Sequence, residues 1–235
     1  MIELATDNDI EMLKKLWLES FEEDSVENVD IFFEKIFSRE NTLIYRYGKD
    51  IVGALYSLPQ SNDMYLYALA TATGYRGRGI MSGLIRYFIE KNGKDKGCWL
   101  IPEEELLFRY YEDRGFSNRL PVYSYEFANE GVDCCITDVN RIRELSSEVW
   151  DRNSILTEFG ENVTDYVLAE EADDGMMFYE ITSGGGGYYI AEGNKIKQYG
   201  MSEANYNIVR PEKKVERYAL GYNCSAEEFS GFIPY

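Results

Sequence analysis

The apolar positions in the first half of the chain switch between two periods. Ile2-Glu3-Leu4 alternates as a short strand does. Thr6 or Asp7 can cap a helix in which Ile10, Leu13, Leu16 and Trp17 recur at the 3.6 period. Ser25 can cap a second helix, with Val29, Phe32, Phe33, Ile36 and Phe37 on one face. Thr42–Tyr47 and Ile51–Leu58, joined by Gly48-Lys49-Asp50, predict a β-hairpin, and Asp63–Thr73 predicts a further strand. Gly79–Lys91 predicts a helix carrying Ile80, Leu84, Tyr87 and Phe88 on one side. Cys98–Ile101 predicts a short buried strand closed by Pro102. Glu103–Arg114 predicts a helix with acidic residues in its first turn, where the helix dipole favours them. Gly115 ends it, and Leu120–Phe127 is a last strand. The order β-α-α-β-β-β-α-β-α-β places the chain in the α+β class.

Ala128-Asn129-Glu130-Gly131 has the composition of a connector, which divides the chain into residues 1–127 and 128–235. The second part is expected to be a smaller α+β lobe. Thr137-Asp138 and the helical stretch to Trp150 echo Thr6-Asp7 through Trp17. Glu161-Asn162-Val163 echoes Glu27-Asn28-Val29, and Gly193-Asn194-Lys195-Ile196 echoes Gly48-Lys49-Asp50-Ile51. The lobe is therefore either a degenerate copy of the first half or an unrelated fold. Ser183-Gly184-Gly185-Gly186-Gly187 is expected to join a hairpin; no helix signal follows, which argues against a phosphate nest. Tyr188-Tyr189-Ile190 and Tyr206 are expected in strands that pack the lobe.

Composition narrows the chemistry. The chain has 235 residues, 45% of them hydrophobic, enough for a core without disulfide or metal staples. With 24 Lys+Arg against 42 Asp+Glu, its net charge is −18. General nucleic-acid binding needs clustered cations and is excluded. The acidity suits a cationic small substrate, or serves only solubility. There is no histidine. That excludes Ser-His-Asp and Cys-His catalysis and His-containing zinc sites, and no metal is expected. Any general acid or base must be a carboxylate, Tyr, Lys, Cys, water or a chain terminus. Cys98, Cys134, Cys135 and Cys224 show no C-x-x-C spacing. No signal peptide precedes them, so free thiols in a reducing cytoplasm are expected. No apolar run reaches the ~20 residues that span a bilayer, so no membrane partner is expected.

One stretch runs against the acidic background. Arg76, Arg78, Arg86, Lys91, Lys94 and Lys96 face only Glu90 and Asp95. Within it, Leu69-Ala70-Thr71-Ala72-Thr73-Gly74-Tyr75-Arg76-Gly77-Arg78-Gly79-Ile80 runs from a strand through a glycine-rich turn into a helix. Glycines let the backbone approach a bulky anion, and the first helical N–H groups have no partner inside the helix. With the helix dipole, this is a pyrophosphate cradle. A dinucleotide G-x-G-x-x-G reading fails for want of its third glycine, and a P-loop reading for want of Gly-Lys-Ser/Thr.

Arg76-Gly77-Arg78-Gly79-Ile80-Met81 resembles the Q/R-x-x-G-x-G/A acetyl-CoA motif of the GCN5-related N-acetyltransferase (GNAT) family, and the predicted element order is similar to that fold. The resemblance implies acetyl-CoA contacts at Leu69, Ala70 and Thr71 for the pantetheine arm and at Arg76, Gly77, Arg78, Gly79, Ile80 and Met81 for the diphosphate. Met81 departs from the usual Gly or Ala. A larger residue there, and the segment from Leu100 to Tyr111, are also similar to the enhanced-intracellular-survival branch of the family. Tyr111-Glu112-Asp113-Arg114-Gly115-Phe116 resembles the family's Tyr-x-x-x-Gly-Phe, which implies that Tyr111 protonates the departing thiolate. A phenol of pKa ~10 suits such a leaving group. Tyr110 points about 100° away on the helix. The acceptor amine must lose a proton. The acceptors open to it are Glu22, Glu23 and Asp24, Asp63, Glu103, Glu104 and Glu105, water, and the terminal carboxylate of Tyr235. A backbone N–H of the fourth strand would hold the oxyanion. The expected function is acetyl transfer to a primary amine of a cationic small molecule, with a non-catalytic acyl-CoA-binding or protein-interaction module as the alternative. Association with further copies of the chain is left open.

Overall fold

A computed structural model describes residues 1–60, 62–92, 96–128, 131–148, 161–173, 175–227 and 229–230. Its elements in the first half are β1 (Ile2–Leu4), α1 (Ile10–Ser20), α2 (Val26–Lys35), β2 (Thr42–Tyr47), β3 (Asp50–Pro59), β4 (Asp63–Thr71), α3 (Ile80–Asn92), β5 (Gly97–Leu100), α4 (Glu105–Glu112) and β6 (Asn118–Phe127). The second half holds β7 (Cys134–Ile136), α5 (Val139–Glu148), α6 (Glu161–Asp173), β8 (Met177–Ile181), β9 (Gly187–Glu192), β10 (Lys195–Met201), α7 (Glu203–Val209), β11 (Pro211–Tyr222) and β12 (Phe229–Ser230). Contacts divide the described residues into two compact units. One holds residues 1–120 and 219–227; the other holds 121–218 with 229–230.

In the first unit, local chemistry starts the helices. The backbone N–H and the hydroxyl of Thr6 donate to the Asp9 carboxylate at 2.9 and 2.8 Å, closing a 3₁₀ turn ahead of α1. Ser25 caps α2 by accepting the Asn28 N–H at 3.1 Å. Strands β1 to β4 form an antiparallel series, and β5 returns parallel to β4. The next strand beside β5 is the end of β11, with Leu220 opposite Leu100 and Tyr222 opposite Cys98. The chain leaves this unit within β6 and comes back to it at Ala219.

The period-2 alternation of β4 sends its side chains to two cores. Met64 and Leu66 join Ile80, Leu84 and Phe88 of α3 and Phe108 and Tyr111 of α4. On the other side, the Trp17 ring meets Phe32, Tyr56 and Tyr67 at 4.6, 5.2 and 5.7 Å. Gly53 of β3 admits α3 closely, because a Cβ there would stand 2.6 Å from Ile80 Cγ2.

In the second unit, β7, β8, β9 and β10 form an antiparallel series and β10 pairs with β6. Among the described residues, the element order from β7 to β11 is β-α-α-β-β-β-α-β, the order found from β1 to β5. Asp138 accepts the Arg141 N–H at 3.0 Å to start α5; Trp150 lies outside the described residues. The glycine run joins β8 to β9, and Gly184 to Gly187 all have positive φ. It is pinned: Asn205 Nδ2 donates to the Ser183 and Gly186 carbonyls at 2.8 and 3.0 Å, and Ser202 Oγ donates to Gly184 at 2.6 Å. Tyr206 corrects the sequence reading. It lies in α7, not in a strand, because Ser202 caps a helix there by accepting the Asn205 N–H at 3.3 Å.

Candidate active site

The site begins where β4 loses its partner. Parallel pairing with β5 covers Asp63, Met64 and Tyr65 and stops, although β4 continues to Thr71. On its other edge the register with β3 shifts: Tyr67 faces Tyr56, Ala70 faces Ala54, and Ala68 and Leu69 together oppose Leu55. That is a β-bulge, and Ala68 takes φ +47° to make it. Beyond the bulge, no strand among the described residues pairs with β4 on the β5 side. Leu69, Ala70 and Thr71 lie on this stretch, with Ala70 buried and the other two half-buried.

The cradle follows. The Ala72 N–H donates to the Val52 carbonyl at 3.1 Å, and the Tyr75 N–H to Ala72 at 2.8 Å, so Thr73–Tyr75 form a 3₁₀ turn where the sequence predicted the end of a strand. Glu19 of α1 accepts the Thr73 N–H at 2.9 Å, and this bond, the largest influence on its carboxyl, lowers its pKa. Arg76 Nε donates to the Thr71 carbonyl at 3.1 Å, and the Arg78 guanidinium lies 4.9 Å from the Tyr75 ring. Gly77 and Gly79 both have φ +75°, and a Cβ on either would meet nothing within 4 Å. Conformation calls for glycine at both, and the space before them is open. The first bond within α3 runs from Gly83 N–H to the Gly79 carbonyl at 2.9 Å. The amides of Ile80, Met81 and Ser82 precede it and have no partner inside the helix. Arg76 to Gly79 are exposed. The Ile80 side chain is buried against β3, leaving only its amide to the cradle, and Met81 packs against the α3–α4 core. The departure at Met81 thus takes up core space.

Tyr111 is buried on α4, in the same apolar cluster as Leu66 and Ile80. Its ring meets Phe116 at 6.0 Å and Tyr110 at 5.1 Å, both edge-on. Burial, reinforced by Tyr110, pushes its phenol well above the usual range and so holds its proton. Tyr110 turns elsewhere: its hydroxyl lies 3.1 Å from Ser82 Oγ.

The carboxylates part ways. Asp63 is buried and engaged: it accepts from Ser225 N–H (3.0 Å), Ser225 Oγ (2.7 Å), Ala226 N–H (3.3 Å) and Cys224 Sγ (3.2 Å). It clamps the segment after β11 and has little left for an amine. Glu22, Glu23, Glu103, Glu104 and Glu105 are exposed. Asp24 is half-buried, accepts the Trp17 indole N–H, and has its carboxyl raised chiefly by burial. Tyr235 lies outside the described residues. All four cysteines are free thiols. Among the described residues, no cluster of His, Cys, Asp and Glu could hold a metal, and no helix is long and apolar enough to cross a membrane. Sequence reasoning missed the bulge, the Asp63 clamp and the bonding of Tyr110 to Ser82. None has a local signal, since each depends on pairing between distant segments.

The acetyltransferase (GNAT) family model matches residues 10–116. Similar structures include a GCN5-related N-acetyltransferase from Anabaena variabilis, 12% identical over 94% of this chain and 72% of that one, with a TM-score of 0.61. A provisionally assigned acetyltransferase from Pyrococcus horikoshii is 13% identical over 98% and 91%, TM-score 0.59. Eis1 from Mycobacterium abscessus is 11% identical over 89% of this chain and 61% of that one, TM-score 0.59. At such identities the likeness is one of fold. No curated protein matches the sequence. Residues 10–116, the stretch the acetyltransferase (GNAT) family model matches, hold the bulged β4, the glycine turn and the start of α3.

Proposed function

We propose that the chain transfers the acetyl group of acetyl-CoA directly to a primary amine of a small cationic molecule, in the cytoplasm. One run of backbone carries this reading: β4 parts from β5 after Tyr65, bends at Ala68, and leads through Gly77 and Gly79 into the open start of α3. An extended polyamide can pair with Leu69–Thr71 as a strand would. A diphosphate fits the amides of residues 79–82, with the exposed guanidiniums of Arg76 and Arg78 beside it. The thioester supplies an activated acyl group. Tyr111, at the end of α4, gives its proton to the leaving thiolate. A carboxylate or water on the acceptor side takes the proton of the amine. Asp24 has the environment for that task, a half-buried carboxylate of raised basicity. A chain of net charge −18 attracts a cationic acceptor.

The test is release of free thiol from acetyl-CoA with a panel of polyamines, aminoglycosides and lysine peptides. Thiol release with at least one amine is expected. In Tyr111→Phe, turnover should fall by roughly a hundredfold with CoA affinity kept, the usual scale for losing a positioned acid. Binding of CoA with no turnover on any amine would make the chain a binding module, and no binding of CoA would remove the reading.

A further inference from the structure

Two short outer strands, β1 (Ile2-Glu3-Leu4) and β7 (Cys134-Cys135-Ile136), differ in what stands at their centre. In an antiparallel ladder, successive residues turn their N–H and C=O groups alternately toward and away from the neighbouring strand. At β7 the Thr182 N–H donates to the Asp133 carbonyl at 2.8 Å, and the Thr137 N–H to the Phe178 carbonyl at 2.9 Å. Asp133, Cys135 and Thr137 therefore bond toward β8, and Cys134 and Ile136 hold their backbone groups outward. Among the described residues, no strand pairs with that outer edge. β1 is built alike. The Ala5 N–H donates to the Thr42 carbonyl at 3.0 Å and the Arg46 N–H to the Met1 carbonyl at 2.9 Å, so Glu3 bonds toward β2 and Ile2 and Leu4 face outward.

A two-fold axis through Cys135 would join the outward groups of β7 to those of a second copy. Cys134 then meets Ile136 of the second copy in a hydrogen-bonded pair. The two Cys135 residues meet in the non-hydrogen-bonded pair, with Cα atoms about 4.5 Å apart. Asp133 falls opposite Thr137, so the flanking carboxylates do not oppose one another. All three residues of β7 are exposed, none is charged, and Ile136 leaves 67% of its surface in water. The same axis on β1 would set Glu3 against Glu3, and like charges directly opposite destabilise a strand pair. β1 is thus guarded against its own copy, and β7 carries no such guard. In a chain of net charge −18, an uncharged edge is where two copies meet at small electrostatic cost.

We infer that two copies of this chain associate edge to edge through β7, in antiparallel register centred on Cys135. Such a short edge buries far less than the ~1,200 Å² of a stable complex, so the association is weak and grows with concentration. It stands apart from the acetyl-CoA reading and does not depend on it.

Oxidative trapping of the purified chain with diamide reads the register directly. Diamide takes up the two hydrogens of a thiol pair and leaves a disulfide. The Cys135 pair falls within the roughly 4.4–6.8 Å between Cα atoms that a disulfide spans. The two Cys134 residues, two positions out of register, lie about 8–9 Å apart, beyond its reach. The wild type should give a covalent dimer whose linked peptide joins Cys135 to Cys135 by mass spectrometry. Cys134→Ser should trap as the wild type does, and Cys135→Ser should give no covalent dimer. Ile136→Glu keeps both thiols, sits at an exposed position and puts a like charge on each edge, so it should lower the yield at least about fivefold. Absence of a covalent dimer from the wild type, or a dimer joined through Cys98, Cys134 or Cys224, overturns the inference whether or not any variant folds. So does an Ile136→Glu protein that melts as the wild type does and traps equally well.

Discussion

Adding one methyl group at Gly53 tests whether the seat of α3 on β3 builds the cradle. In Gly53→Ala the new Cβ would stand 2.6 Å from Ile80 Cγ2 and 3.3 Å from Leu84 Cδ1. Carbon atoms prefer about 3.5–4.0 Å, so roughly 1 Å must be found. Ile80 cannot swing its Cγ2 aside, because a β-branched residue in a helix is nearly confined to one χ1 rotamer. The start of α3 must therefore move. Overpacking of this kind costs about 1–3 kcal/mol. For a chain of this size that lowers Tm by roughly 2–12 °C, at about 2–4 °C per kcal/mol. The amide of Ile80 belongs to the proposed diphosphate site. A shift of about 1 Å takes a hydrogen bond of about 2.9 Å beyond bonding range. Losing one or two charge-assisted bonds of about 1.5–3 kcal/mol each raises the Kd for CoA at least about tenfold. Thermal melting and calorimetric titration read the two effects separately. Gly83→Ala is the control. Its Cβ would meet only Ile2 Cδ1, at an ordinary 3.6 Å, and alanine gains up to about 1 kcal/mol in a helix. It should melt no lower than wild type and bind CoA as well. If Gly53→Ala melts lower yet binds CoA with wild-type affinity, the contact of α3 with β3 does not shape the cradle.

Three further outcomes follow from particular residues. Ala68 holds φ +47°, which costs an L-residue about 1–2 kcal/mol, so Ala68→Gly should gain up to about 1 kcal/mol in urea unfolding and Ala68→Val should lose more than that. Asp63→Ala strands the donors of Ser225, Ala226 and Cys224, so it should lose about 3 kcal/mol and open the segment after β11 to limited proteolysis; an unchanged digestion pattern would contradict the clamp. Burial alone would raise the Asp9 carboxyl, but the hydrogen bonds from Arg46 and Thr6 outweigh it and hold it below the usual carboxylate range. The unfolded chain then binds the proton more readily. This contribution is complete above pH ~4, is lost as pH falls through the folded value, and should disappear from the acid limb of urea midpoints in Arg46→Met.

Much of the first unit was legible because its information is local. Ser25 caps α2 by a bond three residues long, and the alternation of Met64 to Tyr67 sorts those side chains between two cores. The path through Gly77 and Gly79 was legible for the same reason: positive φ and an open helix start are written within a few residues. At Tyr206 the reading followed β-propensity and overlooked the cap at Ser202.

What tertiary structure alone decided lies in pairings between distant segments. The bulge at Ala68 exists only through its register against Leu55, since nothing in Ala68-Leu69 departs from a strand. Asp63 became a clamp, and so a poor proton acceptor, because the chain returns 162 residues later to place Ser225 upon it. Arg114 is tied to the first turn of α3 because Ser82, 32 residues earlier, accepts two of its hydrogen bonds. A short stretch of chain carries its own dihedral preferences and its own hydrophobic face. Which polar groups are left unsatisfied depends on every segment that packs against them, and the chemistry of this site depends on those groups.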